Sequence, residues 1–98
     1  KNYDFVAIDF EMATFARHSI CEIDSDIRNS EIVSSKSWLV QPPYNEYDNL
    51  NISIHGITPS MTKQSRCFKD VWQEVLHYLD GHIANLDSGE IQHYSTDY

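Results

Sequence analysis

Asp9 and Glu11 stand one residue apart, directly after the apolar run Phe5-Val6-Ala7-Ile8. Along an extended chain successive side chains alternate, so both carboxylates project from one face while Phe10 points into apolar packing. Paired carboxylates suit hard divalent cations such as Mg²⁺ or Mn²⁺, which take their remaining ligands from water and phosphate. The chemistry open to this pair is therefore metal-assisted work on a phosphodiester. An isolated Asp-x-Glu more often marks the hydrated end of a strand, so that chemistry needs further residues beside it.

The 98 residues make one domain at most, large enough for a sheet layer with a helix on it. The formal charge of −8 argues against a protein that coats nucleic acid through a broad basic surface. It leaves room for an enzyme that grips few phosphates, because bound divalent ions reverse the local field. Cys21 and Cys67 have neither zinc-ligand spacing nor a disulfide framework, and a reducing, cytoplasmic setting is expected. No apolar run reaches the length of a membrane span, and Lys1-Asn2-Tyr3-Asp4 opens no signal peptide, so no membrane partner is expected. The chain starts without Met, which suggests a processed chain or segments of a longer polypeptide.

Tyr3 to Phe10 reads as a strand whose four consecutive apolar residues suit a central position covered on both faces. In Ile20 to Ile27 the period is right, but Asp24-Ser25-Asp26 has poor strand propensity, so only the first half is expected to be a strand. Arg28-Asn29-Ser30 suits a turn, and Glu31 to Val40 one long antiparallel strand, ended by Pro42-Pro43. Gln41 to Asn51 then reads as an irregular connection. Phe68, Val71, Trp72, Val75, Leu76 and Leu79 form one helical stripe, with Ser65 placed to cap its start and Gly81 its end. Trp72 on that stripe is expected to be a core residue. Ile83-Ala84 could open another strand, and residues 85–98 show no clear period.

Several segments together resemble the DEDDh 3′-5′ exonucleases, which include the proofreading subunit of bacterial DNA polymerase III and RNase T. Tyr3 to Thr14, with Asp9-Phe10-Glu11, looks like the family's opening strand. Ser19-Ile20-Cys21-Glu22-Ile23 and Ser37-Trp38-Leu39-Val40-Gln41-Pro42 resemble its second and third strands. Ile54-His55-Gly56-Ile57-Thr58-Pro59 resembles its His-Gly-Ile-Thr loop, and Phe68 to Trp72 its first long helix. The resemblance covers about residues 3–84 of a single partial domain spanning 1–98, with 85–98 unassigned.

That resemblance implies an α/β, ribonuclease H-like mixed sheet with three antiparallel strands first and a helix packed on the sheet, incomplete relative to the family. It implies removal of nucleotides from a 3′ end of DNA or RNA with two Mg²⁺ or Mn²⁺ ions held by Asp9 and Glu11. Met12, Ala13 and Thr14 would line the pocket for the terminal nucleotide, and His55 and Ile57 would pack against its sugar and base. Asp87, in Ala84-Asn85-Leu86-Asp87, matches a shortened form of the family's next metal-binding motif. His93 and Asp97 match its general base and last metal ligand, four apart where the family has five. Two carboxylates balance little of the charge of two divalent ions, so a missing segment or a second chain is expected to complete the site. The alternative expectation is an inactive exonuclease-like module that binds nucleic-acid ends or protein.

Overall fold

A computed structural model of the protein describes residues 5–28, 32–83 and 94–97. The elements follow in the order β1 (Phe5–Met12), β2 (Ile20–Arg28), β3 (Ile32–Leu39), a 3-10 turn (Pro43–Asn45), α1 (Asn49–His55), α2 (Pro59–Thr62), α3 (Phe68–Ile83) and β4 (Tyr94–Asp97). The strands form one sheet in the order β3-β2-β1-β4. β1 to β3 are antiparallel, and β4 adds to β1 in parallel.

β1 is central in the sheet, as its apolar run predicts, but only one of its faces is packed among the described residues. Val6 and Ile8 are buried, and Phe10 and Met12 pack against the same core, whereas Asp9 is exposed and Ala7 and Glu11 are half-buried. The opposite face is given over past Ala7 to Asp9 and Glu11, so the strand is apolar on one side only along its second half. β1 also continues to Met12, so the acidic pair lies within the strand rather than at its end.

α3 lays Val71, Val75 and Leu79 on Val6, Ile8, Ile23, Ile27, Trp38 and Val40. Complete burial of such aliphatic side chains contributes about 1.5–3 kcal/mol each, and this contact anchors the sheet. Trp72 is part-buried at the edge of this core, stacked on Phe68 with ring centroids 5.5 Å apart and tilted against Phe10 at 6.2 Å. The helix starts two residues later than a Ser65 cap would place it. The Val71 N–H donates to the Cys67 carbonyl at 3.1 Å, while the Ser65 N–H closes the preceding turn on Thr62. Gly81 lies inside the helix, which runs through Ile83, so Ile83 opens no strand.

β2 is continuous through Asp24-Ser25-Asp26. Its polar stretch is held from β3, where Ser37 Oγ donates to Asp24 and Ser35 Oγ donates to Asp26 at 2.8 Å, while Arg28 pairs with Asp26 at 3.3 Å. Between Glu11 and Met12 the β1–β2 register shifts: Glu11 pairs with Glu22 and Met12 with Ile20, leaving Cys21 as the extra residue. This bulge sends Ile20 into the α3 core and Cys21 into a second core of Ala13, Cys21 and Ile57, bordered by Leu39 and Tyr47. Leu39 pairs with Glu22 and Trp38 with Ile23, so the second core lies on the sheet face opposite α3.

The connection from Gln41 to Asn51, expected to be irregular, places Tyr47 at the border of that second core and then begins a helix, beyond which Ile57 enters the core. α1 begins at Asn49 and ends at Gly56, whose φ of 75° provides the left-handed residue that closes the helix.

Candidate carboxylate site and its neighbouring cleft

The rungs of the ladder decide which acidic groups meet. Asp9 pairs with Asp24 and Glu11 with Glu22, so period-two patterns on both strands put four carboxylates on the face opposite α3. One carboxylate oxygen from each of Glu11, Glu22 and Asp24 falls within 4.8 Å of the others. Burial, then the charge and hydrogen bond of Asp24, then the charge of Glu11 push the Glu22 carboxyl up from 4.5 to about 7. A group of like charges this close keeps a proton on one member unless a cation joins it. The donor set, all carboxylate oxygen, fits Mg²⁺ or Mn²⁺ rather than a softer metal.

Of the residues expected from the sequence, Asp9 and Glu11 are on this face. Asp97 takes the rung position beside Asp9 on β4, giving the order Asp97, Asp9, Asp24, Ser37 across the sheet. Asp87 and His93 lie outside the described residues.

Met12 and Thr14 line a cleft of about 270 Å³ together with Phe15, Arg17 and Asn51. The loop carrying Thr14 is tied to itself: Ser19, almost fully buried, accepts from the Thr14 N–H at 3.0 Å and donates to the Ala16 carbonyl at 2.6 Å. The Thr14 hydroxyl accepts from the Ala16 N–H at 3.1 Å, which leaves its own proton to offer. Ala13 and Ile57 are buried in the second core rather than in the cleft wall. Both main-chain groups of Ala13 are engaged, its N–H with the Ser19 carbonyl at 2.8 Å and its carbonyl with the Asp48 N–H at 2.9 Å.

His55 fixes the end of β1. Its Nδ1 accepts from the Ile57 N–H at 2.9 Å, so Nε2 carries the ring proton and donates to the Met12 carbonyl at 2.9 Å. Asn51, four residues earlier on α1, donates through Nδ2 to that same carbonyl at 3.0 Å and to the Thr14 carbonyl at 3.3 Å. The buried Asn51 Oδ1 meets no donor among the described residues. Cys21 Sγ lies 3.9 Å from His55 Nε2, and burial above all pushes its thiol up to about 11.

Glu22, Asp24, Asn51, Phe15 and Arg17 were not among the residues expected from the sequence. Glu22-x-Asp24 repeats the Asp9-x-Glu11 spacing, and Asn51 and His55 share a helix face at i, i+4, so both signals are present once register and helix are known.

The molecule is therefore an α/β protein with a mixed sheet, a helix on one face and a carboxylate cluster on the other. Solved 3′-exonucleases share this fold. The chain superimposes on a full-length 3′-exonuclease with a TM-score of 0.70 at 25% identity, over 98% of this chain and 46% of that one. It superimposes equally, at 24% identity and TM-score 0.70, on a 3′-exonuclease whose structure concerns 3′-end-specific recognition of a histone mRNA stem-loop, again over 98% and 46%. The chain thus spans just under half the length of these proteins. No protein-family model and no curated protein matches the sequence. Among the described residues, no helix is long and apolar enough to cross a membrane.

Proposed function

We propose that this chain forms part of a metal-dependent 3′-5′ exonuclease of the DEDDh type that hydrolyses phosphodiester bonds at single-stranded DNA or RNA ends. The observation that carries this reading is the convergence of Glu11, Glu22 and Asp24 within 4.8 Å on the β1–β2 ladder, with Asp9 on the next rung. Asp9 and Glu11 hold Mg²⁺ or Mn²⁺, with Asp24 and Glu22 as neighbouring acceptors. When bound, such ions supply a water of lowered pKa and neutralise charge at the phosphodiester. Asp87 and Asp97 complete the acidic set, and His93 takes the proton of the attacking water.

The cleft beside the carboxylates receives the terminal nucleotide. Met12 offers an apolar wall and the Thr14 hydroxyl donates to the sugar end, with Asn51 completing the lining. Ala13 and His55 act by holding the loop and the strand end that form this cleft, and Ile57 by packing beneath it. The free, reduced state of Cys21 and Cys67 suits a cytoplasmic setting.

The test is Mn²⁺-dependent release of mononucleotides from a 3′-labelled single strand by the longest available polypeptide containing this chain. Asp9→Ala is expected to abolish release while leaving the fold intact, since Asp9 is exposed. Undiminished release by that variant would refute the assignment.

A further inference from the structure

A second concavity, of about 300 Å³, opens between the 13–19 loop, the Pro42–Tyr44 turn and the start of α3. It is lined by His18, Gln41, Tyr44, Cys67, Phe68 and Lys69, with apolar residues between them. Its volume is at the small end of ligand pockets, room for one nucleotide unit. No carboxylate is among its lining residues, although the chain has 15 Asp and Glu against 7 Lys and Arg. The cleft's basic members are Lys69, at the start of α3, and His18, while Arg66 is turned away into an ion pair with Glu74.

Tyr44 is the unusual member. Its side chain is 98% exposed and its φ is 56°, a left-handed conformation that a tyrosine seldom adopts. No packing of its ring accounts for that backbone. The next residue does: the Asn45 N–H donates to the Pro42 carbonyl at 2.8 Å and Asn45 Nδ2 to the Pro59 carbonyl at 2.9 Å. Asn45 Oδ1 accepts from the hydroxyl of Thr62 at 2.8 Å, and Thr62 is wholly buried. The turn is thus locked from beneath and holds an aromatic ring in water, and strain kept in place by its surroundings marks positions of use. An exposed ring in one lining with a cation, here Lys69, is an arrangement on which bases of a single strand stack.

Arg17 lines the first cleft and His18, the next residue, the second, so the 13–19 loop borders both. We infer that the second cleft holds an upstream nucleotide of the same single strand whose 3′ end occupies the first, Tyr44 stacking on the base and Lys69 and His18 meeting the phosphate. This rests on the exonuclease reading for the kind of ligand, and on the cleft's own lining for the place.

Cys67 is exposed in this cleft and Cys21 is buried, so alkylation of Cys67 reports occupancy. In EDTA, a ten-residue oligothymidylate is expected to slow iodoacetamide labelling of Cys67, and inorganic phosphate at equal concentration is not. Tyr44→Ala, which removes a side chain that supports no core, is expected to weaken this protection ~5-fold or more, while Tyr44→Phe retains it. Unchanged labelling with the oligonucleotide, protection that survives Tyr44→Ala, or equal protection by phosphate alone overturns the inference. Cleavage by the unsubstituted chain in Mn²⁺, measured beside its protection in EDTA, separates the two proposals. A chain that is protected but never cleaves tells against the exonuclease reading alone, and a chain that cleaves without protection tells against the second cleft alone.

Discussion

Glu22 offers a quantitative check on the carboxylate ladder, because its environment ties protonation to folding. Its carboxyl is raised from 4.5 to about 7, first by burial and then by Asp24 and Glu11. The folded state therefore binds this proton more tightly than the unfolded chain. The stabilisation is complete below about pH 4.5 and is lost as pH rises through about 7. At about 1.4 kcal/mol per pH unit the full shift converts to roughly 3 kcal/mol. Glu22 is only half-buried, and solvent screening reduces the expected loss to about 1 kcal/mol. Glu22→Gln removes the titration and keeps the shape. In EDTA, urea unfolding followed by the fluorescence of Trp38 and Trp72 should give the variant about 1 kcal/mol more stability than the parent at pH 8 and near-equality at pH 4.5. Mg²⁺ or Mn²⁺ at pH 8 should restore the parent and help the variant less, since the amide offers a weaker ligand. Parallel pH profiles for the two proteins, or a less stable variant at pH 8, would show that these carboxylates do not share the field described.

Leu79→Ala should cost about 2–5 kcal/mol in urea unfolding, since Leu79 is 1% exposed beneath the sheet; a loss under 1 kcal/mol would mean that α3 does not anchor the core. The His55 ring should give the ¹⁵N NMR pattern of the neutral Nε2–H form above pH 8, and the opposite tautomer would break the links to Met12 and Ile57. Cys67 should react with iodoacetamide at pH 7.5 in the folded protein, while Cys21, buried and with its thiol pushed up to about 11, stays unmodified until urea unfolds the chain.

The parts of this molecule legible from sequence are those in which one element's own periodicity suffices. The stripe from Phe68 to Leu79 identifies α3, and the continuous apolar run from Phe5 to Ile8 identifies β1. The second half of β2 was less legible because Asp24 and Asp26 are strand residues only by virtue of Ser37, Ser35 and Arg28, partners in space or across a rung. α1 was hidden by its polar start, Asn49-Leu50-Asn51, and by its shortness, with Gly56 its clearest mark. Gly81 resembled a helix end because glycine commonly is one, yet three helical residues follow the last aliphatic contact at Leu79 and precede Ile83. Asp9-x-Glu11 announced a candidate cation site, but Glu22 and Asp24 join it only through the antiparallel register. His55 stood out by its neighbours in sequence, while its bonds to Met12 and Ile57 come from how α1 docks on β1.

The extra residue at Cys21 has a consequence for length changes in this strand pair. Deleting Cys21 leaves Met12 opposite Ile20 and Glu11 opposite Glu22, so the acidic pairs keep their partners and the losses are a small apolar contact and the Val40 N–H bond to the Cys21 carbonyl. Deleting Ile23 instead turns Glu22 toward α3, because side-chain parity reverses with every single-residue slip. Position 21 is thus the place in β2 where natural or engineered indels should be tolerated, and the three residues after it are where they should not.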